Sequence, residues 1–441
     1  MSPSFAHGLA RQSPPTASFE WSVPERFGPK LSDGLTDYHW LNSTRNYDPK
    51  FVHPKTWPVD FNACTSVGSN IQSYKWEIQG ESIVRNSCKF NYDKLRFLGT
   101  YTVKLTVTAV DGQTSSTQQE INVKDILIVS VGDSFASGQG NPDIERNDQR
   151  SAVWNYLPCH RSAQAAPALA ALRIEHADPH SSVTFISYAC SGATIRKGLI
   201  GEQRKGLVDL APQIRNVRTT TAGRRIDALL VSVGGNDAQF ASLIALTIGL
   251  PNAATSSITN DLFRKGLGTL ESGYQAFSDQ TATLFANPKV FITEYPELAR
   301  DENGVFCDKQ PGEDFFLKKI SFSEAQWASN TVITGLNLEV KKAAMKHNWI
   351  YVGDIATRTL KHGYCAGEQR WVRTFDDAKK MQGSTNCLKV SLQDCLISSG
   401  SMHPNGHAHA CIATQLVHAM QTNGVFPFAV GVAPDDPCPV N

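Results

Sequence analysis

Two rhythms of apolar residues divide the chain. Between about residues 56 and 124, apolar and polar positions alternate. Tyr101, Val103, Leu105 and Val107 are interleaved with Thr102, Lys104, Thr106 and Thr108, the period-2 pattern of a half-buried strand. Tyr74, Trp76 and Ile78 alternate in the same way, and Asp111-Gly112 supplies a hairpin turn. From about residue 125 the rhythm changes. Short apolar runs recur: Ile126 to Val131, Val183 to Ile186, Ala228 to Val233, Val290 to Ile292 and Trp349 to Val352. Such runs fit strands buried on both faces. Helical stretches separate them. One is predicted to open at Ser323, with Gln326 three residues on as a capping box. It carries Trp327, Val332, Leu336, Val340 and Ala344 and ends near Asn348. This alternation predicts an α/β domain whose parallel sheet has helices on both faces.

The expected organisation has four parts: an extended arm over 1–55, a small all-β sandwich over 56–124, an α/β domain over 125–425, and a tail over 426–441. The arm is expected to pack through Phe19, Trp21 and Phe27. A chain of 441 residues exceeds the 250–300 or so at which single cores stop growing. Its 42 Lys+Arg balance 41 Asp+Glu, so no nucleic-acid or polyanion partner is implied. No apolar run approaches the roughly 20 residues of a membrane span. The first residues lack a signal-peptide core, so an exported protein would have lost its signal. Ten cysteines, an even number without any C-x-x-C pair, point to disulfides and an oxidising compartment rather than a zinc ribbon. A Cys64–Cys88 bridge would staple the thin core of the β-domain.

In an open α/β sheet, ligands gather at the carboxyl ends of the strands. The first run leads into Gly132-Asp133-Ser134, the second into Cys190-Ser191-Gly192, the third into Gly234-Gly235-Asn236-Asp237. Met402-His403-Pro404-Asn405 stands near the end of the chain. A serine hydroxyl becomes a nucleophile when an imidazole takes its proton, and histidine both accepts and returns protons near neutral pH. A tetrahedral oxyanion needs fixed donors. Glycine lets an N–H approach closely, and asparagine offers a neutral amide. Asp133 reads as a residue ordering the turn. The absence of G-x-S-x-G argues against an α/β-hydrolase elbow.

Together the four blocks resemble the SGNH (GDSL) hydrolase family over roughly residues 125 to 425. The segments Ser73 to Trp76 and Tyr101 to Gly112 resemble a PKD or other immunoglobulin-like module. The resemblance implies a flavodoxin-like α/β/α sandwich with a five-stranded parallel sheet, preceded by an immunoglobulin-like sandwich. It implies a secreted, monomeric esterase or lipase acting on small-molecule or lipid esters without a cofactor. Ser134 would be the nucleophile and His403 the general base. The N–H groups of Ser134 and Gly192 and the amide of Asn236 would form the oxyanion hole. Many members carry an Asp three residues before the histidine, but here that residue is Gly400, flanked by Ser399 and Ser401. A backbone carbonyl near Ser399 to Ser401 is therefore expected to orient His403, with Asp394 as the carboxylate alternative. The resemblance also implies Cys159–Cys190 and Cys307–Cys365 bridges. Proximity then suggests Cys387–Cys395 and Cys411–Cys438, although sequence alone does not fix connectivity.

Other readings of the same residues are a polysaccharide O-acetyl esterase, an acyltransferase, or an adhesion protein with a degenerate hydrolase domain. His403, His407 and His409 could gather a metal. The competing reading places His407 and His409 on a helix surface. Phe240, Leu243, Ile244, Leu246, Ile248 and Leu250 are candidates for an acyl pocket. Trp154 and Tyr156 are expected on a loop shaping the leaving-group side.

Overall fold

A computed structural model of the chain describes residues 13–28, 39–68, 70–146, 151–240, 242–243, 254, 256–284, 286–310, 314, 316–382, 400–430 and 438. Contacts divide it into two compact units. One holds residues up to Glu25, Pro54–Asp125 and Asp178–Ser182; the other holds Arg26–His53, Ile126–Ala177 and the chain from Val183 onward.

The first unit is all-β. Strands β1 (Glu20–Ser22), β2 (Trp57–Asn62) and β5 (Lys89–Leu95) form one antiparallel sheet. Strands β3 (Ile71–Ile78), β4 (Glu81–Arg85), β6 (Gly99–Ala109) and the first part of β7 (Thr114–Gly132) form another. The alternation read from the sequence sets its packing. Tyr74, Trp76, Ile78, Val103, Leu105 and Val107 are buried in one core with Phe19, Phe61 and Phe90. Trp76 meets the Phe19 ring edge-on at 5.2 Å. A Cys64–Cys88 bridge closes the unit.

The second unit is α/β. The rest of β7 lies between β8 (Ser181–Ser187) and β9 (Ala228–Ser232), followed by β10 (Lys289–Thr293) and β11 (Ile350–Val352). Registers β7–β9, β9–β10 and β10–β11 are parallel. Just beyond β8, Tyr188 donates to Ser130 and Cys190 to Gly132, advancing along both segments in the same sense, so this pairing is parallel too. The spatial order β8-β7-β9-β10-β11 is the flavodoxin-like 2-1-3-4-5. Separate apolar clusters cover the sheet. One contains Leu127, Val129 and Val131 with the helix Ser257–Thr281; the other contains Ile126 and Ile128 with helices Ala166–Ala177 and Gly406–Thr422. Opposite parities of one strand thus feed opposite layers.

The capping box opening the helix Phe322–Trp327 is Ser321 with Glu324, two residues earlier than the expected Ser323 and Gln326. Ser321 N–H donates to the Glu324 carboxylate at 2.8 Å. A π-helical segment, Ala328–Ile333, and then Thr334–His347 continue it to Asn348, whose φ of +56° ends it. Within Arg26–His53, Phe27 joins one apolar cluster of the α/β unit and Trp40, Tyr47 and Phe51 join the other, whereas Phe19 lies in the sandwich core. Among the described residues, no helix is long and apolar enough to cross a membrane. The bridges Cys159–Cys190, Cys307–Cys365 and Cys411–Cys438 are formed; Cys387 and Cys395 lie outside the described residues.

Candidate active site

The strand β7 ends at Gly132, where φ is +144° and a Cβ would lie 2.1 Å from the Ser232 carbonyl oxygen. Only glycine lets the ends of β7 and β9 approach this closely. Gln213 clamps both sides of that residue, accepting from Gly132 N–H at 2.8 Å and donating to its carbonyl at 2.9 Å. The next residue, Asp133, caps the short helix Ser134–Ser137 by accepting from Phe135 N–H at 3.0 Å, as a short acceptor before a first turn should. Tyr295, just past β10, donates its hydroxyl to Asp133 at 2.5 Å and accepts from Gly235 N–H at 2.9 Å. The Asp133 carboxyl is buried, and desolvation pushes its pKa up to about 7 against the lowering by Tyr295 and Phe135. Ser134 is left at the first helical position with 7% of its surface exposed.

The second block turns back beside the first. Cys190 N–H donates to Gly132 at 3.0 Å, and Ala193 N–H to Cys190 at 3.1 Å. Gly192 between them is exposed, with φ of +73°, a conformation glycine takes without cost. Neither Ser134 N–H nor Gly192 N–H donates to another described residue. The third block braces this turn. Asn236 donates one amide hydrogen to the Ala193 carbonyl at 2.9 Å, leaving a second on the same nitrogen. Asp237 accepts from Ile195 N–H at 3.1 and 3.2 Å, and burial raises its pKa to about 6. The donor groups of the three blocks are thus tied to one another by backbone and side-chain hydrogen bonds.

The histidine arrives on a loop pinned from two sides. Met402 N–H donates to Arg373, Arg373 N–H to His403, and Asn405 N–H to Trp371, so residues 402–405 run antiparallel to 371–373. Asn405 then caps the helix Gly406–Thr422. On the other side, Gly140 has φ of +94°, and a Cβ there would meet His403 Cβ at 3.0 Å. Arg373 holds the same segment, donating to the Gly140 carbonyl at 2.8 Å and pairing with Glu145. The His403 ring lies 5.2 Å from that of Phe135, the residue after Ser134. Its Nδ1 is 2.8 Å from the Ser401 carbonyl oxygen. A carbonyl only accepts, so Nδ1 carries the hydrogen and Nε2 is the basic nitrogen of the neutral ring. Gly400, at φ of +104°, accepts from His403 N–H. Ser399 and Asp394 lie outside the described residues.

One expectation is corrected. His409 is not on the helix surface: it is fully buried and accepts from Ala166 N–H at 3.2 Å, and desolvation lowers its pKa to about 3. His407 is exposed. Trp154 and Tyr156 turn inward, Trp154 onto His160 and Tyr156 onto Trp40. Of the candidate acyl-pocket residues, Phe240 and Leu243 are described and Ile244, Leu246, Ile248 and Leu250 are not. Phe240 N–H donates to Gly235 at 3.0 Å, and Phe240 lines an apolar pocket with Leu298, Ile320, Ala328, Ile333 and Met402. Sequence reasoning missed Tyr295, Gln213 and Arg373. Reading past the fourth strand as well as the first three would have reached Tyr295; nothing in the sequence marks the other two.

No family profile matches the chain, and no curated protein matches it. Solved structures similar to it include an extracellular lipase from Streptomyces rimosus at 20% identity and a TM-score of 0.41, covering 67% of this chain and 99% of that one. A phospholipase A1 from Streptomyces albidoflavus matches at 19% identity and a TM-score of 0.42, covering 67% and 98%. The PKD1 domain of a Vibrio cholerae metalloprotease matches at 23% identity and a TM-score of 0.16, covering 25% of this chain and 96% of that domain.

Proposed function

We propose that the chain is an exported serine esterase that hydrolyses carboxylic esters of aliphatic acids. Ser134 Oγ attacks the ester carbonyl carbon while His403 Nε2 takes the hydroxyl proton. The oxyanion so formed sits against Ser134 N–H, Gly192 N–H and the second amide hydrogen of Asn236. Collapse breaks the bond to the alcohol oxygen, which leaves with the proton from His403. Water then attacks the acyl-enzyme, gives its proton to Nε2, and releases the acid as Ser134 recovers its hydrogen. Donors fixed before the reaction need no reorganisation when charge develops.

One observation carries this reading: the 2.8 Å contact between His403 Nδ1 and the Ser401 carbonyl. It supports a backbone oxygen as the orienter and Nε2 as the base. The pocket bounded by Met402, the neighbour of His403, and by Phe240, at the end of the turn holding Asn236, receives the acyl chain. The four bridges support an oxidising, extracellular setting.

Hydrolysis of p-nitrophenyl esters of graded chain length tests this proposal. The expected result is turnover whose kcat/KM rises from acetate to medium-chain esters, with a loss in Ser134→Ala on the order of 10⁶-fold in kcat. Turnover confined to acetate, or retained in Ser134→Ala, would overturn it.

A further inference from the structure

Four consecutive residues, Cys159 to Ser162, each contact either the nucleophile turn or the Gly192 loop. Cys159 bridges to Cys190. Arg161 Nε donates to the Ala189 carbonyl at 3.2 Å. Ser162 N–H donates to the Ser137 carbonyl at 2.8 Å. His160 reaches Ser191, the residue before Gly192, with Nδ1 3.2 Å from Oγ. Both His160 and Ser191 are fully buried, so neither can meet a substrate. Ser191 Oγ also lies 3.0 Å from the Cys159 carbonyl; it donates to that carbonyl when His160 carries its hydrogen on Nδ1, and to Nδ1 in the other tautomer. Ser191 N–H donates to the same carbonyl at 3.1 Å, and Gln203 donates to the Ser191 carbonyl at 2.8 Å. Every polar group of Ser191 is thereby engaged, which fixes the peptide that presents Gly192 N–H.

His160 is also held in an uncommon conformation. Its φ is +45°, a left-handed value uncommon for non-glycine residues, among which Asn, Asp and His adopt it most often. Its ring stands edge-on to Trp154 at 5.0 Å. Such outliers persist where the surroundings over-determine them, and they cluster at functional sites.

We infer that His160 is a positioning residue for the oxyanion hole, acting through its hydrogen bond to Ser191 to aim Gly192 N–H. The inference rests on the proposed esterase reading. It assigns a role to a histidine distinct from the general base His403.

Three variants test it: His160→Leu, which keeps the bulk and removes the ring nitrogens; His160→Asn, whose amide can replace Nδ1 as donor or acceptor and whose backbone tolerates a positive φ; and Ser191→Ala. A donor misplaced by about 1 Å costs on the order of 10²-fold. His160→Leu and Ser191→Ala should therefore each lower kcat by about that factor with KM within about twofold, and phosphonylation of Ser134 should slow in parallel. His160→Asn should recover most of the rate. The double variant His160→Leu with Ser191→Ala should be no slower than the slower single, since both remove one interaction. If His160→Leu does not fold, Ser191→Ala, the smaller change, carries the test. Unchanged kcat in Ser191→Ala, or His160→Asn as slow as a folded His160→Leu, would overturn the inference. Activity surviving in Ser134→Ala would instead overturn the reading beneath it. An inactive Ser134→Ala beside a fully active His160→Leu would remove only the role of His160.

Discussion

The two compact units bury their strands differently. In the sandwich, β3 and β6 hide alternate side chains, and their other faces carry Lys75, Glu77, Lys104 and Thr106. In the α/β unit, Ala228–Ser232 and the part of β8 from Val183 to Ser187 are buried at every position. Full burial leaves chemistry nowhere to reach solvent along a strand, so polar function moves to the strand ends. There Gly132-Asp133-Ser134, Gly192 and Asn236 stand on turns held by the sheet beneath. A half-exposed strand has no such need. Elements buried on both sides thus mark, at their carboxyl ends, where a reaction can be built.

The largest expected effect that would sharpen this contrast is at the oxyanion turn. Asn236→Ala should lower kcat by about 10²–10³-fold with little change in KM, read by steady-state kinetics on the preferred ester. A change confined to KM would assign Asn236 to ground-state binding instead.

The next concerns the buried cap. Because the folded-state pKa of Asp133 is raised to about 7, above its unfolded value near 3.9, the folded chain binds this proton more tightly. The associated stability is fully present below about pH 4 and is lost as pH rises through 7, with an upper range of roughly 4 kcal/mol. Asp133→Asn does not titrate, so denaturant melts between about pH 4 and 8 should show a flatter stability profile for it. Parallel profiles for the two proteins would remove Asp133 from the account.

The smallest effect is on the other side of the comparison. Replacing Cys64 and Cys88 by Ala opens a loop with a separation of 24 residues and should destabilise the sandwich by about 3 kcal/mol, read by limited proteolysis. Ester hydrolysis at room temperature should be unchanged. A matching loss of turnover would make the sandwich part of the catalytic machinery.

Much of this was legible in the sequence for physical reasons. The alternation of Tyr101 to Thr108 and the unbroken apolar runs report directly which faces are buried, so both architectures could be read. Gly132 and Gly192 marked themselves because their backbones need a residue without a Cβ. Gly400, with no carboxylate to offer, pointed to a backbone carbonyl near Ser399 to Ser401, with Asp394 as the alternative, and His403 Nδ1 lies 2.8 Å from the Ser401 carbonyl oxygen. Other features were not legible. Gln213 reaches Gly132 from 81 residues away in the chain, and Arg373 reaches Gly140 from 233 away. Side chains recruited over such distances leave no local pattern. His409 was placed on the surface because its helix stripe of Ile412, Leu416 and Met420 suggested one buried face. In fact the helix is covered on more than one side, with Ala408, His409, Cys411 and Gln415 also buried.

The central claim is that Ser134 is a nucleophile activated by His403 beside a preformed oxyanion hole. Mass spectrometry after treatment with an organofluorophosphonate tests it most directly. The account predicts a single covalent adduct on Ser134, formed far more slowly in His403→Ala and absent in Ser134→Ala. An adduct on another serine, or none on the folded native chain, would contradict it.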